Sequence, residues 1–336
     1  MLRNILRARW YMTGAKTWVV NLSRIRSLMT YKQAILFLKV SCLFVNQCRS
    51  YQHLRDFTHI YPVKHFMKSW GEMNIDTMDW MKQSKSFNKA ADYYDVFRPS
   101  YPSEVIGCIE ANTSLHVASK ILEIGAGSGK ATELFLNRGY ELLCIEPGAQ
   151  LAEIGVQKHR DKKLQYVVTR FEDWEEPRKG NDLVFSAQAY HWVPQPEGYK
   201  RCAEVLKPNG HLALFWNFYL CGDSKLDKEV AELCNQYHAF TISSKEEIDR
   251  RINSTSAEIS NSGYFEAPSI YKFPWSHKED VDSFIGFLNT TSSFLVLSKS
   301  EQNKFIAELR LLFSNNGGVV CRYYICCLFI SSRKLE

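Results

Sequence analysis

Three glycines at alternate positions, Gly125, Gly127 and Gly129, follow the apolar run Ile121-Leu-Glu-Ile124. Glycine accepts left-handed backbone and lets a ligand approach bare main chain, and a helix that starts behind such a loop turns free N–H groups toward it. The helical pattern Lys130–Asn137 follows at once. A dinucleotide fingerprint, GxGxxG, would need its third glycine at position 130, where Lys130 stands. The spacing here is GxGxG, with Glu123 just ahead of it. A carboxylate beside the loop repels a pyrophosphate but suits a ligand that carries an ammonium and a sulfonium. The next apolar run, Glu141-Leu-Leu-Cys-Ile145, ends in Glu146 and Pro147. An acid at that strand end can accept hydrogen bonds from both hydroxyls of a ribose. An NAD site would place an acid similarly, so Glu123 and the glycine spacing separate the two readings.

Six pieces then stand in a recognisable order. They are Phe87-Asn-Lys-Ala-Ala-Asp-Tyr-Tyr-Asp95 with Arg98-Pro-Ser-Tyr-Pro102, the Glu123–Gly129 loop, Glu146-Pro147, Phe171-Glu-Asp-Trp174, Asp182–Trp192, and Leu206-Lys-Pro-Asn-Gly210 before His211–Trp216. On these pieces, residues 87–216 resemble a class I S-adenosylmethionine-dependent methyltransferase of the type 11 or trans-aconitate-methyltransferase-like kind. The resemblance implies S-adenosylmethionine as cofactor. Gly125, Ala126, Gly127 and Gly129 would then admit its methionine part, Glu123 its ammonium, and Glu146 with Pro147 its ribose. Related enzymes place a side chain after the third strand against the adenine amino group, which makes Asp173, with Glu172 as its rival, the expected acceptor.

These residues need an α/β scaffold to bring them together. Beyond residue 86, apolar runs alternate with helical stretches, which predicts a mostly parallel sheet with helices on both faces. Strands are expected near 120–124, 141–145, 164–168, 182–186, 211–216 and 269–273, with more around 319–330. Helices are expected near 130–137 and 148–159. Leu206–Gly210 reads as a turn, and Gly317-Gly318 as another. The resemblance completes this as a Rossmann-like seven-stranded sheet with an antiparallel last strand. It also makes the polar, helical stretch 217–263 a lid between strands five and six. The expected domains are a basic extension at 1–80 and a methyltransferase domain at 81–336. Leu288-Asn-Thr-Thr-Ser-Ser293 is either a pocket segment, as the resemblance suggests, or a Ser/Thr-rich helix cap.

In open α/β sheets ligands sit at the carboxyl ends of the strands. Ser186, Gln188, Tyr190, His191 and Trp192 are therefore expected near the transferred methyl group. His191 is a candidate base, with Tyr190 beside it, although a carboxylate acceptor needs no base. Tyr94 and Arg98 belong to an N-terminal helix and turn expected to close over the cofactor. Arg98, always charged and bidentate, suits a carboxylate of cofactor or acceptor. The expected reaction is an in-line methyl transfer to a small-molecule acceptor, with a carboxylic acid as the candidate class. A non-catalytic S-adenosylmethionine sensor or scaffold is the alternative.

Composition sets bounds on partners. The net charge is +6, yet residues 1–80 hold 12 Lys/Arg against 4 Asp/Glu, leaving 30 against 32 in the rest. The catalytic part therefore implies no basic nucleic-acid surface. No acid precedes Asp56, a bias that resembles a mitochondrial presequence, although the segment is long and rich in aromatics. The apolar run Ala34–Val45 is too short to span a bilayer and contains Lys39. Translation from Met73, Met78 or Met81 would still include the whole expected domain. The ten cysteines lack CxxC pairing and read as reduced, intracellular thiols, and no metal site is expected. His53, His59 and His65 match no zinc spacing. The expected location is cytoplasmic, or mitochondrial if residues 1–80 act as a presequence.

Overall fold

Parallel strands covered on both faces read as unbroken apolar runs, and those at the centre of this sheet do. The structure is a computed structural model that describes residues 10–13, 17–20, 91–175 and 179–335. The chain divides into two units, Met1–Thr77 and Met78–Glu336. In the first, β1 (Trp10–Thr13) and β2 (Thr17–Val20) pair antiparallel, with Trp10 opposite Val20 and Thr13 opposite Thr17. The remainder of the basic extension, its histidine row and the motif residues 87–90 lie outside the described residues.

The second unit begins with α1 (Ala91–Phe97) and α2 (Glu104–Asn112), then β3 (Lys120–Ile124), α3 (Thr132–Leu136), β4 (Glu141–Ile145), α4 (Ala149–Lys158) and β5 (Leu164–Val167). It continues through β6 (Asn181–Ala187), α5 (Glu197–Val205) and β7 (Leu206–Leu220). Next come α6 (Lys225–Tyr237), α7 (Lys245–Asn261), β8 (Ser269–Asp280), α8 (Val281–Leu288), α9 (Ser292–Leu295), α10 (Lys299–Asn315) and β9 (Val319–Ser332). The sheet order is β5-β4-β3-β6-β7-β9-β8. Pairings from β5 to β7 are parallel, and β9 runs antiparallel to both neighbours. This is the seven-stranded, Rossmann-like arrangement with an antiparallel last strand that the resemblance implies.

Successive strand residues point to opposite faces, so each strand feeds two cores. Leu122, Ile124, Leu143, Val184 and Leu214 enter one; Ile121, Leu142, Cys144, Phe185 and Phe215 enter the other. Adjacent Cys326 and Cys327 on β9 divide in the same way. Glu123 shares the face of Ile121 and Cys144, which places a carboxylate in an apolar row.

Two boundaries differ from the sequence reading. Leu206 already pairs with Asn181, whereas the next partners are Leu183 and His211. Lys207–Gly210 is therefore a bulge inside β7 rather than a turn before it, because the extra residues bow out between two paired points. β8 runs on to Asp280, well past the predicted end. It is the sheet's edge strand, where Pro274 and Lys272 are tolerated without breaking an inner ladder.

Residues 217–263 finish β7 and then form α6 and α7, both opened by capping boxes, Ser224 with Asp227 and Ser244 with Glu247. α6, α8, α9 and α10 share a third core with Tyr219 and Tyr324 from the extended β7 and β9. That core encloses an ion pair. Arg322, only 1% exposed, donates from Nη2 to Glu279 Oε2 at 2.6 Å, and its Nε stands in ion-pair contact with Oε1. Its guanidinium lies 4.2 Å from the Phe287 ring centroid. Removing one member of such a pair strands a buried charge, at about 3–5 kcal/mol. Arg322→Met is expected to lower stability by about that much in urea unfolding, and Arg322→Met with Glu279→Leu to regain most of it. A double variant as unstable as the single one would show that the loss comes from packing.

Candidate functional site

The loop after β3 is shaped by its glycines and by the strand beside it. Gly125, Gly127 and Gly129 have φ of +72°, +57° and +87°, where L side chains are strained. Gly125 N and Ala126 N both donate to Ile145 O, so the β3–β4 register holds the start of the turn. Glu146 completes it: its two carboxylate oxygens accept from Gly127 N at 2.8 Å and Gly148 N at 2.7 Å. From below, Tyr166 Oη donates to Gly127 O at 3.3 Å.

Above this loop lies a narrow cleft, open at its mouth. Its lining includes Tyr94, Arg98, Glu123, Gly125, Ala126, Gly127, Lys130, Gln188 and Asn217. A β-carbon on Gly127 would meet only Tyr94 Cε1, at 3.6 Å, so bare backbone faces the cleft. α1 is fastened to the same loop. Asp95 accepts from Ser128 Oγ at 2.8 Å and from Lys158 Nζ at 2.9 Å, and these bonds hold its carboxyl below the usual range although burial opposes ionisation. Arg98, one turn on, donates to Thr290 O at 2.6 Å and stands 5.0 Å from the Tyr94 ring. Its Nε is buried without a partner.

Glu123 is 1% exposed and accepts from Thr132 Oγ1 at 2.5 Å, with Cys144 Sγ at 3.6 Å. Burial raises its pKa to about 8, against hydrogen bonds that lower it and the neighbouring Glu146, which raises it further. Burial also raises Glu146, opposed by its two backbone donors. The site thus combines a buried acid, two cations from Arg98 and Lys130, and open glycine backbone. That set is complementary to an amino-acid zwitterion attached to a nucleoside: an acid for the ammonium, cations for the carboxylate.

Other expected residues are placed elsewhere. Ser186 is buried and donates to Ile124 O at 2.7 Å, joining β6 to β3. Gln188, at φ +56°, accepts from Asn217 N at 2.9 Å and lines the cleft. Glu172 and Asp173 sit on a short 3₁₀ turn, both paired with Arg170, and border a separate depression with Trp174 and Arg201. Pro147 is exposed beyond β4. The Tyr190 hydroxyl is buried 3.6 Å from Cys202 Sγ. His191 is exposed, and its Nδ1 accepts from Trp216 Nε1 at 3.4 Å. The hydroxyls of Thr290 and Thr291 bond back to Phe287 O and Leu288 O, which closes α8. Lys130, Asn217 and the Asp95–Ser128 bond were not singled out in the sequence. Only Asn217, at the carboxyl side of the fifth strand, carried a usable positional signal.

The buried acid has a measurable consequence. A carboxyl that keeps its proton to higher pH folded than unfolded loses stability as pH rises between the two values. For Glu123 that window runs from the ordinary 4.5 to about 8. Glu123→Gln, which removes the ionisation, is expected to make the decline in ligand-free melting temperature across this window shallower. Glu146 leaves some slope. An unchanged slope would mean that Glu123 is ionised in the folded chain throughout.

Comparison with known proteins agrees with this geometry. Residues 122–214 match the family model described as a methyltransferase domain. An uncharacterized methyltransferase of Mycobacterium bovis is 34% identical over 136 residues, 40% of this chain and 53% of that protein. The chain therefore spans about half the length of that relative. An uncharacterized methyltransferase-like protein of Schizosaccharomyces pombe is 26% identical over 229 residues, 67% of this chain and 84% of its own length. The solved structure of a candidate type II methyltransferase from Anaeromyxobacter dehalogenans superposes with a TM-score of 0.54 at 18% identity, over 70% of this chain and 97% of that one. Residues 122–214 thus match a methyltransferase domain, and the sheet that carries them has the fold of that solved structure.

Proposed function

We propose that the chain transfers the methyl group of S-adenosylmethionine to the carboxylate oxygen of a small organic acid, as the trans-aconitate-methyltransferase-like resemblance suggests. The observation that carries the acceptor class is the hydrogen bond from Trp216 to His191. Nδ1 accepts the indole N–H, so the neutral ring carries its proton on Nε2. The surrounding protein, then the charges of Arg251 and Arg98, push the His191 pKa to about 4, so the ring is neutral near pH 7. A neutral imidazole with Nδ1 engaged offers Nε2–H as a donor and has no free lone pair to take a proton. That arrangement suits an acceptor already ionised.

When bound, the cofactor supplies a methyl group activated by the sulfonium, and displacement breaks that C–S bond as the C–O bond forms. The residues therefore have to align, neutralise and exclude water. In this reading Glu123 faces the ammonium and Arg98 and Lys130 the carboxylate of the methionine part. Gly125, Ala126, Gly127 and Gly129 give backbone access, and Tyr94 covers Gly127. Glu146, beyond its backbone bonds, has remaining acceptor capacity for ribose hydroxyls. Glu172 or Asp173 would reach the adenine only by turning from Arg170, so the adenine contact is the least supported of these roles. Gln188 and His191 orient the acceptor. The free thiols among the described residues fit a reducing setting. Among the described residues no helix is long and apolar enough to cross a membrane.

The test is direct. Calorimetry with S-adenosylhomocysteine should show binding, weakened roughly tenfold or more in Glu123→Gln, as expected for loss of a buried charged partner. Labelled methyl groups should appear on acids in a carboxylic-acid panel and not on the matching amides. A second measurement addresses His191. Loss of a general base costs about 10²–10⁴ in rate. His191→Gln should instead cost less than about tenfold, and log kcat should stay level between about pH 6 and about pH 8. A steep limb that vanished in the variant would make His191 a base and the acceptor a hydroxyl or amine.

A further inference from the structure

β7 outruns its neighbour on the cleft side. Its last partner on β6 is Ala187, opposite Phe215, and the strand then continues to Leu220 against β9. Ala213 and Phe215 enter one apolar core, and strand alternation puts Asn217 on the same face, where it lines the cleft. An apolar residue would simply continue that row. An amide there has to find partners for both its groups.

It finds them on two different elements. Its Oδ1 accepts from Trp275 Nε1 at 3.0 Å, and its Nδ2 donates to Ser100 O at 3.0 Å. Trp275 is itself held. It pairs across strands with Tyr324, and the two rings stack with centroids 4.6 Å apart and planes 16° from parallel. An indole N–H can only donate and a backbone carbonyl can only accept. Turning the amide over would set donor against donor and acceptor against acceptor, so Trp275 selects the orientation that reaches Ser100. Ser100 stands between Pro99 and Tyr101, which line the cleft together with Arg98. Phe215 adds an edge-on contact to the Tyr101 ring, with centroids 5.0 Å apart.

The backbone of the same residue holds another part of the lining. Asn217 N donates to Gln188 Oε1 at 2.9 Å, and Gln188 Nε2 donates to Asn217 O at 3.5 Å. Gln188 has φ +56°, a strained conformation for a residue with a β-carbon, which persists only where the surroundings fix it. Residues 98–101 and Gln188, far apart in the chain, thus take their places in the cleft from one residue.

We infer that Asn217 is a positioning residue for the methionine end of the bound cofactor: through Ser100 it sets residues 98–101, and Arg98 with them, before the ligand arrives. The assignment rests on the methyl-transfer reading above, in which Arg98 faces the methionine carboxylate. Asn217 acts through the segment it holds and takes no part in the displacement. A wall already in place spares binding the loss of freedom that ordering it would bring.

The test is a double-mutant cycle on the full chain, read by calorimetric titration of S-adenosylhomocysteine. Asn217→Asp keeps an acceptor for Trp275 and the backbone pairing with Gln188, but sets an acceptor against Ser100 O. It should weaken binding about tenfold, because the ligand must then order the segment. Arg98→Gln should also weaken binding, and adding Asn217→Asp to it should lower affinity by less than about twofold more, since both act through one contact. A loss due only to the new charge, or to a generally loosened fold, would instead multiply with that of Arg98→Gln. Trp275→Phe, which leaves the amide free to turn, should fall between the parent and Asn217→Asp. Parent-like binding by Asn217→Asp or by Trp275→Phe, or losses that multiply in the double variant, would each overturn the assignment. A folded parent chain that did not bind S-adenosylhomocysteine would sink the methyl-transfer reading, and this assignment with it.

Discussion

Two carboxylates stand at the carboxyl ends of neighbouring parallel strands, and burying them constrains everything built above. Glu146 engages both oxygens with backbone N–H groups, one in the glycine turn and one at the start of α4. Glu123 lies in the apolar row itself, held by Thr132 at the start of α3. Neither acid tolerates being left without donors at that depth, because an unpartnered buried charge shifts its pKa or disrupts the fold. The turn between β3 and α3 therefore has little choice of path. Its three left-handed glycines let the chain bring Gly127 N to Glu146 and Thr132 to Glu123.

Apolar cores join the helices to the sheet, and polar pins add direction to the apolar seat of α1. α1 is joined through Asp95 to Ser128 and Lys158, and through Arg98 to Thr290. The helices around β8 have a core of their own, with the Arg322–Glu279 pair inside it. The sheet is thereby free to be rigid while its coverings are fixed at a few directional points. Hydrogen bonds of this kind specify position more than they add stability, since each nets only about 0.5–1.5 kcal/mol.

Charge is distributed unevenly across the site. Beneath the glycine turn lie two buried carboxyl groups whose ionisation is held back by burial; Arg98 and Lys130 bring positive charge to the cleft lining. The imidazole between these regions is neutral and already hydrogen-bonded. Such a layout favours holding and orienting ions over exchanging protons with them, which is the requirement when the transferred group arrives already activated.

The parallel sheet, the glycine turn and the two acids were legible from residue order alone, because strand periodicity and glycine conformation are local properties. β4 runs from Glu141 to Ile145, as its apolar run predicts, since a central parallel strand buried on both faces leaves no ambiguity. The bulge at Lys207–Gly210 was not legible, for Pro and Asn-Gly punctuate a turn and a bulge alike. Nor did the order of residues reveal that Tyr190 turns inward to Cys202 while its neighbour His191 faces solvent, or that Asp173 pairs with Arg170 outside the cleft. Arg98, Lys130 and Asn217 come to one cleft from three distant parts of the chain. Only the tertiary structure decided that, since the meeting of side chains far apart in the chain depends on packing angles and register, which no local pattern encodes.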